Sequence, residues 1–213
     1  MGQDTEEEDM AESIYGKYGK YLEKIKEELE KRFQEYQHAV TIKTGDKAFE
    51  HMAARIKSEE SMREKCIRKG LPQTAEAALT EIKDAIGFRI ICPFVEDVFD
   101  IVEYIRSFED CEIINEKDYI RHAKPNGYRS YHIILAVHAP YPDVMGNEQG
   151  IYYAEFQIRT IAMDTWAALE HKLKYKKNIP NEELLVAELK RVADELASCD
   201  LSLQTIRELI EQA

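Results

Sequence analysis

Residues 128–138 read YRSYHIILAVH and residues 151–159 read IYYAEFQIR. Both runs alternate with a period of two, which predicts β-strands. In the first, Tyr131, Ile133, Leu135 and Val137 fall on one side. In the second, Ala154, Phe156 and Ile158 share a side suited to a core, while Glu155, Gln157 and Arg159 share the other. A carboxylate, an amide and a guanidinium together on one sheet face read as the wall of a site. The plainer alternative is a solvent-facing polar strand with an Arg–Glu pair. Lys124-Pro125-Asn126-Gly127 precedes the first run with the chemistry of a tight turn. A polar loop, 139–149, joins the two runs.

Upstream, residues 86–95 (IGFRIICPFV) read as a buried strand. Residues 96–107 fit a helix with Val98, Ile101, Val102 and Ile105 on one face, and 111–119 a further strand. Residues 13–38 carry helical spacing through Ile14, Tyr18, Tyr21, Leu22, Ile25, Leu29, Phe33 and Tyr36. Thr44-Gly45-Asp46 breaks that pattern. Residues 47–69 contain strong helix formers with no Pro or Gly before Gly70-Leu71-Pro72, which predicts a helix; a short helix over 74–83 follows. Downstream, Thr160 is placed to cap a helix running to about Lys177. Residues 182–211 predict a last helix, in which Leu185, Leu189, Val192, Leu196, Cys199, Leu203, Ile206 and Ile210 form an unbroken heptad seam. A helix packed on its own domain and one packed against a second subunit both produce such a seam; its narrowness and regularity favour the second. The element order gives an α+β (mixed α/β) class: a mixed sheet flanked by helices, with long N- and C-terminal helices.

The chain has 213 residues and a formal charge of −12, with pI ≈ 5.1. That total argues against general nucleic-acid binding and against a polybasic membrane-surface protein. No apolar run approaches the ~20 residues of a membrane span, and MGQDTEEED is the reverse of a signal peptide's order, so a cytoplasmic protein is expected. Cys66, Cys92, Cys111 and Cys199 have no metal-ligand spacing and are expected as buried, reduced thiols. The charge is uneven. Residues 1–12 hold six acids and no base; residues 181–213 hold eight acids and three bases, which leaves −1 for residues 13–180. The expected organisation is an acidic tail (1–12), a catalytic domain (13–180) and a heptad helix for oligomerisation (181–213).

Within the nearly balanced middle, Lys57, Ser61 and Lys65 are each four apart. On the predicted helix they form one cationic row, extended by Lys69, with Arg55 and Arg68 nearby. Such a row suits a polyphosphate; an ordinary solvated basic face is the alternative. Asp84 enters the first strand and supplies a second carboxylate if that strand neighbours the one carrying Glu155. Two carboxylates together with phosphate oxygens are the usual setting for Mg²⁺. Tyr128, beside Lys124 and Arg129, is an aromatic among cations, suited to stacking on a base, or else a turn residue packing locally. His132 is the histidine placed to matter, four residues beyond Tyr128. Neither a P-loop nor a dinucleotide fingerprint is present.

Together these segments closely resemble the synthetase domain of the RelA/SpoT family, in particular the stand-alone small alarmone synthetases. The resemblance rests on Phe49-Glu50-His51, Ala54-Arg55-Ile56-Lys57, Asp84-Ala85-Ile86-Gly87-Phe88-Arg89-Ile90 and Lys117-Asp118-Tyr119-Ile120. It continues through Lys124-Pro125-Asn126-Gly127-Tyr128-Arg129-Ser130-Tyr131-His132, Glu155-Phe156-Gln157-Ile158-Arg159-Thr160 and Met163-Asp164-Thr165-Trp166-Ala167-Ala168-Leu169-Glu170-His171-Lys172. These blocks stand in family order over about residues 45–177.

The resemblance implies a nucleotidyltransferase-like sheet and transfer of the pyrophosphate group of ATP to the 3′-hydroxyl of GDP or GTP, giving ppGpp or pppGpp. It implies Asp84 and Glu155 as catalytic and Mg²⁺-holding, and Arg55, Lys57, Ser61, Lys65 and Arg89 as ATP-binding. It implies Lys124, Tyr128, Arg129, His132, Gln157 and Glu170 around the GDP/GTP acceptor. It further implies a homo-oligomer, a tetramer through terminal helices, and a (p)ppGpp or RNA effector. No metal-binding His-Asp pair of the family's hydrolase domain is present, so synthesis without degradation is expected. The alternatives are a toxin-like relative that pyrophosphorylates adenine nucleotides or a tRNA end, and a catalytically silent nucleotide- or RNA-binding module. Two positions depart from the family: Ala85-Ile86, where the bulkier residue often comes first, and Tyr131, where Leu is usual. Both predict altered packing near the pocket rather than lost chemistry.

Overall fold

The computed structural model describes residues 13–174 and 181–212. After a 3₁₀ turn, Gly16–Tyr18, the elements are α1 (Gly19–Thr44), β1 (His51–Ile56), α2 (Glu59–Lys69), a π-helical turn (Ala77–Glu81), β2 (Ile86–Cys92), α3 (Val95–Arg106), β3 (Cys111–Asp118), β4 (Tyr131–Ala139), β5 (Gly150–Thr160), α4 (Ile161–Lys174) and α5 (Glu182–Glu211). The strands form one mixed sheet in the order β1-β2-β5-β4-β3. Among the described strands only the β2–β5 pair is parallel. The expected α+β class holds.

The alternation read from sequence sets the two faces. On one, Ile86 lies opposite Ala154, Phe88 opposite Phe156 and Ile90 opposite Ile158. Leu135, Ile133 and Tyr131 of β4 continue these rows. All nine side chains are buried. Helices α1 and α3 cover this face. From α1 come Leu22, Ile25, Leu29 and Phe33, at the three- and four-residue steps of one helical stripe. From α3 come Val98, Ile101, Val102 and Ile105. Phe33 is fully buried, with its ring 5.6 Å from Phe156 and 6.3 Å from Phe88. The opposite face is left open between the sheet and α2, α4 and α5.

Helix α1 runs six residues beyond the expected end, to Thr44. It stops where Gly45, at φ 83°, closes the helix with its amide on the Thr41 carbonyl. Thr160 caps α4 as expected, its Oγ1 accepting from the Met163 amide at 3.1 Å. The end of α4 near Lys177 and the acidic tail 1–12 lie outside the described residues.

Residues 47–69 are not one helix. Residues 51–56 add an antiparallel edge strand to β2, with Arg55 opposite Gly87 and Ala53 opposite Arg89. Sheet pairing overrides the helix propensity of Ala53 and Ala54. The helix starts only at Glu59. Ser58 caps it by accepting from the Ser61 amide at 3.3 Å, and Glu59 and Glu60 occupy its first turn. The short helix expected over 74–83 is likewise mostly a π-helical turn. Of the four thiols, all free, Cys66 and Cys92 are buried, but Cys111 is half-buried and Cys199 exposed. Cys199 falls on the solvent side of α5 because that helix turns Asp200 and Gln204 inward instead.

Candidate active site

The open sheet face is built from two rows of register partners. Arg55 of β1, Gly87 of β2, Glu155 of β5 and Ile134 of β4 lie side by side. The next row is Ala53, Arg89, Gln157 and His132. Because partners across paired strands point the same way, the pairing gathers Arg55, Arg89, Glu155, Gln157 and His132 onto one surface. Arg55, Arg89, Glu155 and Gln157 line, with Asp84 and Lys57, a cavity of about 240 Å³, and His132 stands beside it against Glu155. Gly87 sits in the middle of the first row. A Cβ there would meet nothing within 4 Å, so any side chain would extend into the cavity between Arg55 and Glu155.

Asp84 reaches this cavity from the segment before β2. The backbone amide of Lys57 donates to the Ala85 carbonyl at 2.8 Å, which pins the β1–α2 junction beside it. Lys57 Nζ is 3.2 Å from Asp84 Oδ2, and Lys65 Nζ is also bonded to that oxygen. The expected helical row is therefore broken at Lys57, which precedes the helix, yet Lys57 and Lys65 still converge on one carboxylate. Ser61 lies outside that convergence. Its Oγ is bonded to Ser58 Oγ at 2.9 Å, and it lines a neighbouring groove with Lys57 and Arg68.

Glu155 is half-buried. Burial alone would push its carboxyl up. The His132 imidazole, with Nδ1 3.8 Å from Oε1, outweighs this together with the Gln157 amide at 3.0 Å and the charge of Lys65, and its pKa lies below the ordinary carboxylate value. His132 also contacts Tyr128, its Nε2 2.8 Å from the phenol oxygen. Arg159, almost fully buried, donates to the same phenol oxygen at 2.7 Å, to Gln157 at 2.8 Å and to Asp164 at 2.9 Å.

The second part of the site is the turn before β4. Gly127, at φ 90°, donates its amide to the Lys124 carbonyl at 2.8 Å. The Lys124 ammonium stands over both the Tyr119 and Tyr128 rings, at 4.6 and 4.7 Å. Lys124, Pro125, Asn126, Tyr128 and Glu170 line an open cavity of about 580 Å³, with Asn126 donating to Glu170 at 3.2 Å. Two subsites thus share one sheet face, one rich in cations around two carboxylates, the other carrying an aromatic platform.

Of the residues expected at the site, Arg55, Lys57, Asp84, Arg89, Glu155, Gln157 and His132 come together with Lys65. Lys124, Tyr128 and Glu170 assemble beside them. Arg129 does not join them. Its guanidinium bonds the Ile120 carbonyl at 3.1 Å and Asp194 of α5 at 3.3 Å, pointing behind the turn. Sequence reading places Arg159 in the site wall without giving it a role, and Asp164 appears there only within a family block. A buried guanidinium demands partners, and those partners are Tyr128, Ser130, Gln157 and Asp164. The two departures behave as packing positions: Ala85, Ile86 and Tyr131 are buried, and the Tyr131 hydroxyl reaches the exposed Glu116 beside Arg106.

A mixed sheet that gathers two carboxylates, convergent cations and a tyrosine beneath a lysine is an α+β domain with an anion-rich and cation-rich cleft beside an aromatic ring. Residues 54–180 match the family model described as "Region found in RelA / SpoT proteins". The chain belongs to the RelA/SpoT family. It is 40% identical over 166 residues to the GTP pyrophosphokinase YwaC of Bacillus subtilis, covering 78% of this chain and 77% of that protein. It is 34% identical over 166 residues to YjbM, another GTP pyrophosphokinase of that organism, covering 77% and 74%. Among solved structures, small alarmone synthetase 2 of Bacillus subtilis superposes with a TM-score of 0.74 at 36% identity, covering 88% of this chain and 95% of that one. Small alarmone synthetase 1 bound to its product pppGpp gives 0.72 at 29% identity, covering 92% and 95%. No helix among the described residues is long and apolar enough to cross a membrane.

Proposed function

We propose that this chain transfers the pyrophosphate group of ATP to the 3′-hydroxyl of GDP or GTP, yielding ppGpp or pppGpp and AMP. The observation that carries this reading is the link from Tyr128 through His132 to Glu155, which lines one cavity with Asp84. The 3′-oxygen of the acceptor forms a bond to the β-phosphorus, and the bond from that phosphorus to the α–β bridging oxygen breaks, with AMP leaving. Such a transfer needs alignment and charge neutralisation more than covalent help. Arg55 and Arg89 flank the adenine, while Lys57, Lys65 and Ser61 take the phosphates. Tyr128 stacks on guanine with Lys124, Gln157 and Glu170 around it. Glu155, kept ionised, receives the 3′-hydroxyl proton.

The residues present suit Mg²⁺. Asp84 Oδ1 is buried and unpartnered, a polar atom that demands a ligand. Among the described residues no group of three or more metal-binding side chains is assembled. Mg²⁺ commonly uses one or two carboxylates, completing its shell with phosphates and water, and Asp84 and Glu155 would be those two. When bound, the ion supplies charge neutralisation on the transferred phosphates.

Helix α5 supports self-assembly. Its C-terminal half turns Asp200, Gln204 and Arg207 toward the domain and leaves Leu203, Ile206 and Ile210 exposed at 45%, 52% and 71%. These three line an open groove with Gly45, Lys47, Pro93 and Phe94; an exposed apolar stripe on a long helix fits a second copy of the chain, and a tetramer through the terminal helices is the assembly proposed.

Incubation with Mg²⁺ and labelled ATP, with GDP, GTP, AMP or uncharged tRNA in separate reactions, tests the activity by chromatography of products. A 3′-pyrophosphorylated guanine nucleotide is expected. Product from AMP or tRNA alone, or nucleotide binding with no turnover of any acceptor, overturns the reading.

A further inference from the structure

The N-terminal half of α5 packs directly behind the turn that carries Tyr128. A Cβ added to Gly127 would stand 2.5 Å from the Ala193 Cβ and 3.3 Å from the Lys190 Cα. The void between turn and helix, lined by Gly127, Arg129, Trp166 and Ala193 among others, is only about 10 Å³, room for one water at most. Beneath Tyr128 lies Trp166, only 3% exposed, with its ring edge-on to the phenol at 6.2 Å. The Trp166 indole N–H donates to the Leu189 carbonyl of α5 at 2.7 Å. Arg129, the neighbour of Tyr128, bonds Asp194 one turn further along. Backbone contact, indole and guanidinium thus each join the turn to the same stretch of α5.

We propose that α5 is the strut that positions the acceptor platform, with Ala193 and Trp166 as positioning residues that hold Tyr128 through Gly127 and its ring edge. This rests on Tyr128 being the guanine platform. The strut then touches one substrate only. The donor side is held by β1, β2 and the β1–α2 junction, whereas the described side-chain bonds involving residues 189–194 go to Trp166 and Arg129 or stay within α5. A displacement of α5 near Ala193 therefore weakens acceptor binding and leaves ATP binding in place. The exposed apolar half of α5 lies on the same continuous helix, so whatever covers that half is mechanically joined to the acceptor subsite.

Trp166 is the only tryptophan of the chain, so its emission reports on this contact without any need for turnover. Titration of the full chain with GDP, followed by Trp166 emission, measures acceptor binding. Calorimetric titration with a non-hydrolysable ATP analogue measures the donor. Ala193→Leu, which the small void cannot accept, is expected to raise the GDP Kd by about tenfold or more while the analogue's Kd stays within about twofold. Ala193→Gly removes the methyl contact without adding bulk and serves if the leucine variant fails to fold; a smaller weakening with the same selectivity is expected. Unchanged GDP affinity in a folded variant, or equal loss of both ligands, overturns the strut. Wild-type protein that binds the ATP analogue but no GDP overturns the guanine platform itself, and the strut with it.

Discussion

The phenol oxygen of Tyr128 lies 2.8 Å from Nε2 of His132, and the other ring nitrogen of His132 faces Glu155 at 3.8 Å. A base-stacking residue is thereby linked through one imidazole to a carboxylate of the reaction centre. Tyr128→Ala removes the platform. Stacking on an aromatic contributes about 1–3 kcal/mol per base, so the acceptor KM should rise by about one to two orders of magnitude with the ATP KM little changed. Tyr128→Phe keeps the ring but loses the His132 and Arg159 bonds, and should lower kcat more than it raises KM. Steady-state kinetics with each substrate varied in turn separates the two.

Asp84→Asn and Glu155→Gln keep shape and volume but remove charge. Both should fold with near-native circular dichroism. Loss of a charge clamp worth several kcal/mol in the transition state lowers synthesis by about 10²–10⁴-fold. Full activity in either variant would contradict the assignment of the pair.

The carboxyl of Asp200 is buried against Thr160, whose hydroxyl donates to it at 2.6 Å. Burial drives its pKa up, against the Thr160 bond and the Arg129 charge. A carboxyl with a raised folded-state pKa favours the fold when protonated. Its contribution is fully present below the ordinary value of 3.8 and is lost as pH rises through the folded value. Asp200→Asn keeps an acceptor for Thr160 without the charge. It should melt higher than the wild type at pH 7, with the gap closing toward about pH 4. A gap of constant size across that range argues against the assignment.

Phe33 ties α1 to the sheet through Phe88 and Phe156. Phe33→Ala should cost about 3–5 kcal/mol, read as a shift in the urea midpoint. A loss under about 1 kcal/mol would mean that α1 is not part of the cooperative core.

Ile206 and Ile210 are more than half exposed, while the hydrogen bonds from the C-terminal half of α5 to its own domain are made by Asp200, Gln204 and Arg207. Ile206→Glu with Ile210→Glu should dissociate the assembly, as measured by light scattering, without lowering the melting temperature of the monomer. An unchanged mass would place the subunit contact elsewhere.

Much of the fold was legible in the chain because its strands and helices have strict periods. Alternation placed Glu155, Gln157 and Arg159 opposite Phe156 and Ile158, and Thr160 announced the start of α4. The misreading at 47–69 came from a local signal. Ala53, Ala54 and their neighbours favour a helix, but an open sheet edge beside β2 offered residues 51–56 a ladder of backbone bonds that outweighed propensity. The Ser58 cap followed by two glutamates was the signal that located the true helix start.

The sequence by itself determined which residue types are available, the two faces of each strand, the turn at Gly127 and the amphipathic stripe of α5. Those follow from steric periods and from the backbone conformations that Gly, Pro and Ser favour. Tertiary structure alone decided which of these meet. Parallel pairing of β2 with β5 brings Asp84, at the entry to β2, to the cavity that Glu155 lines. The partners of Arg129 and Arg159 were decided the same way, since a guanidinium taken out of water must find acceptors wherever packing supplies them. For Arg129 those lie behind the turn, on Ile120 and Asp194; for Arg159 they lie at the heart of the site.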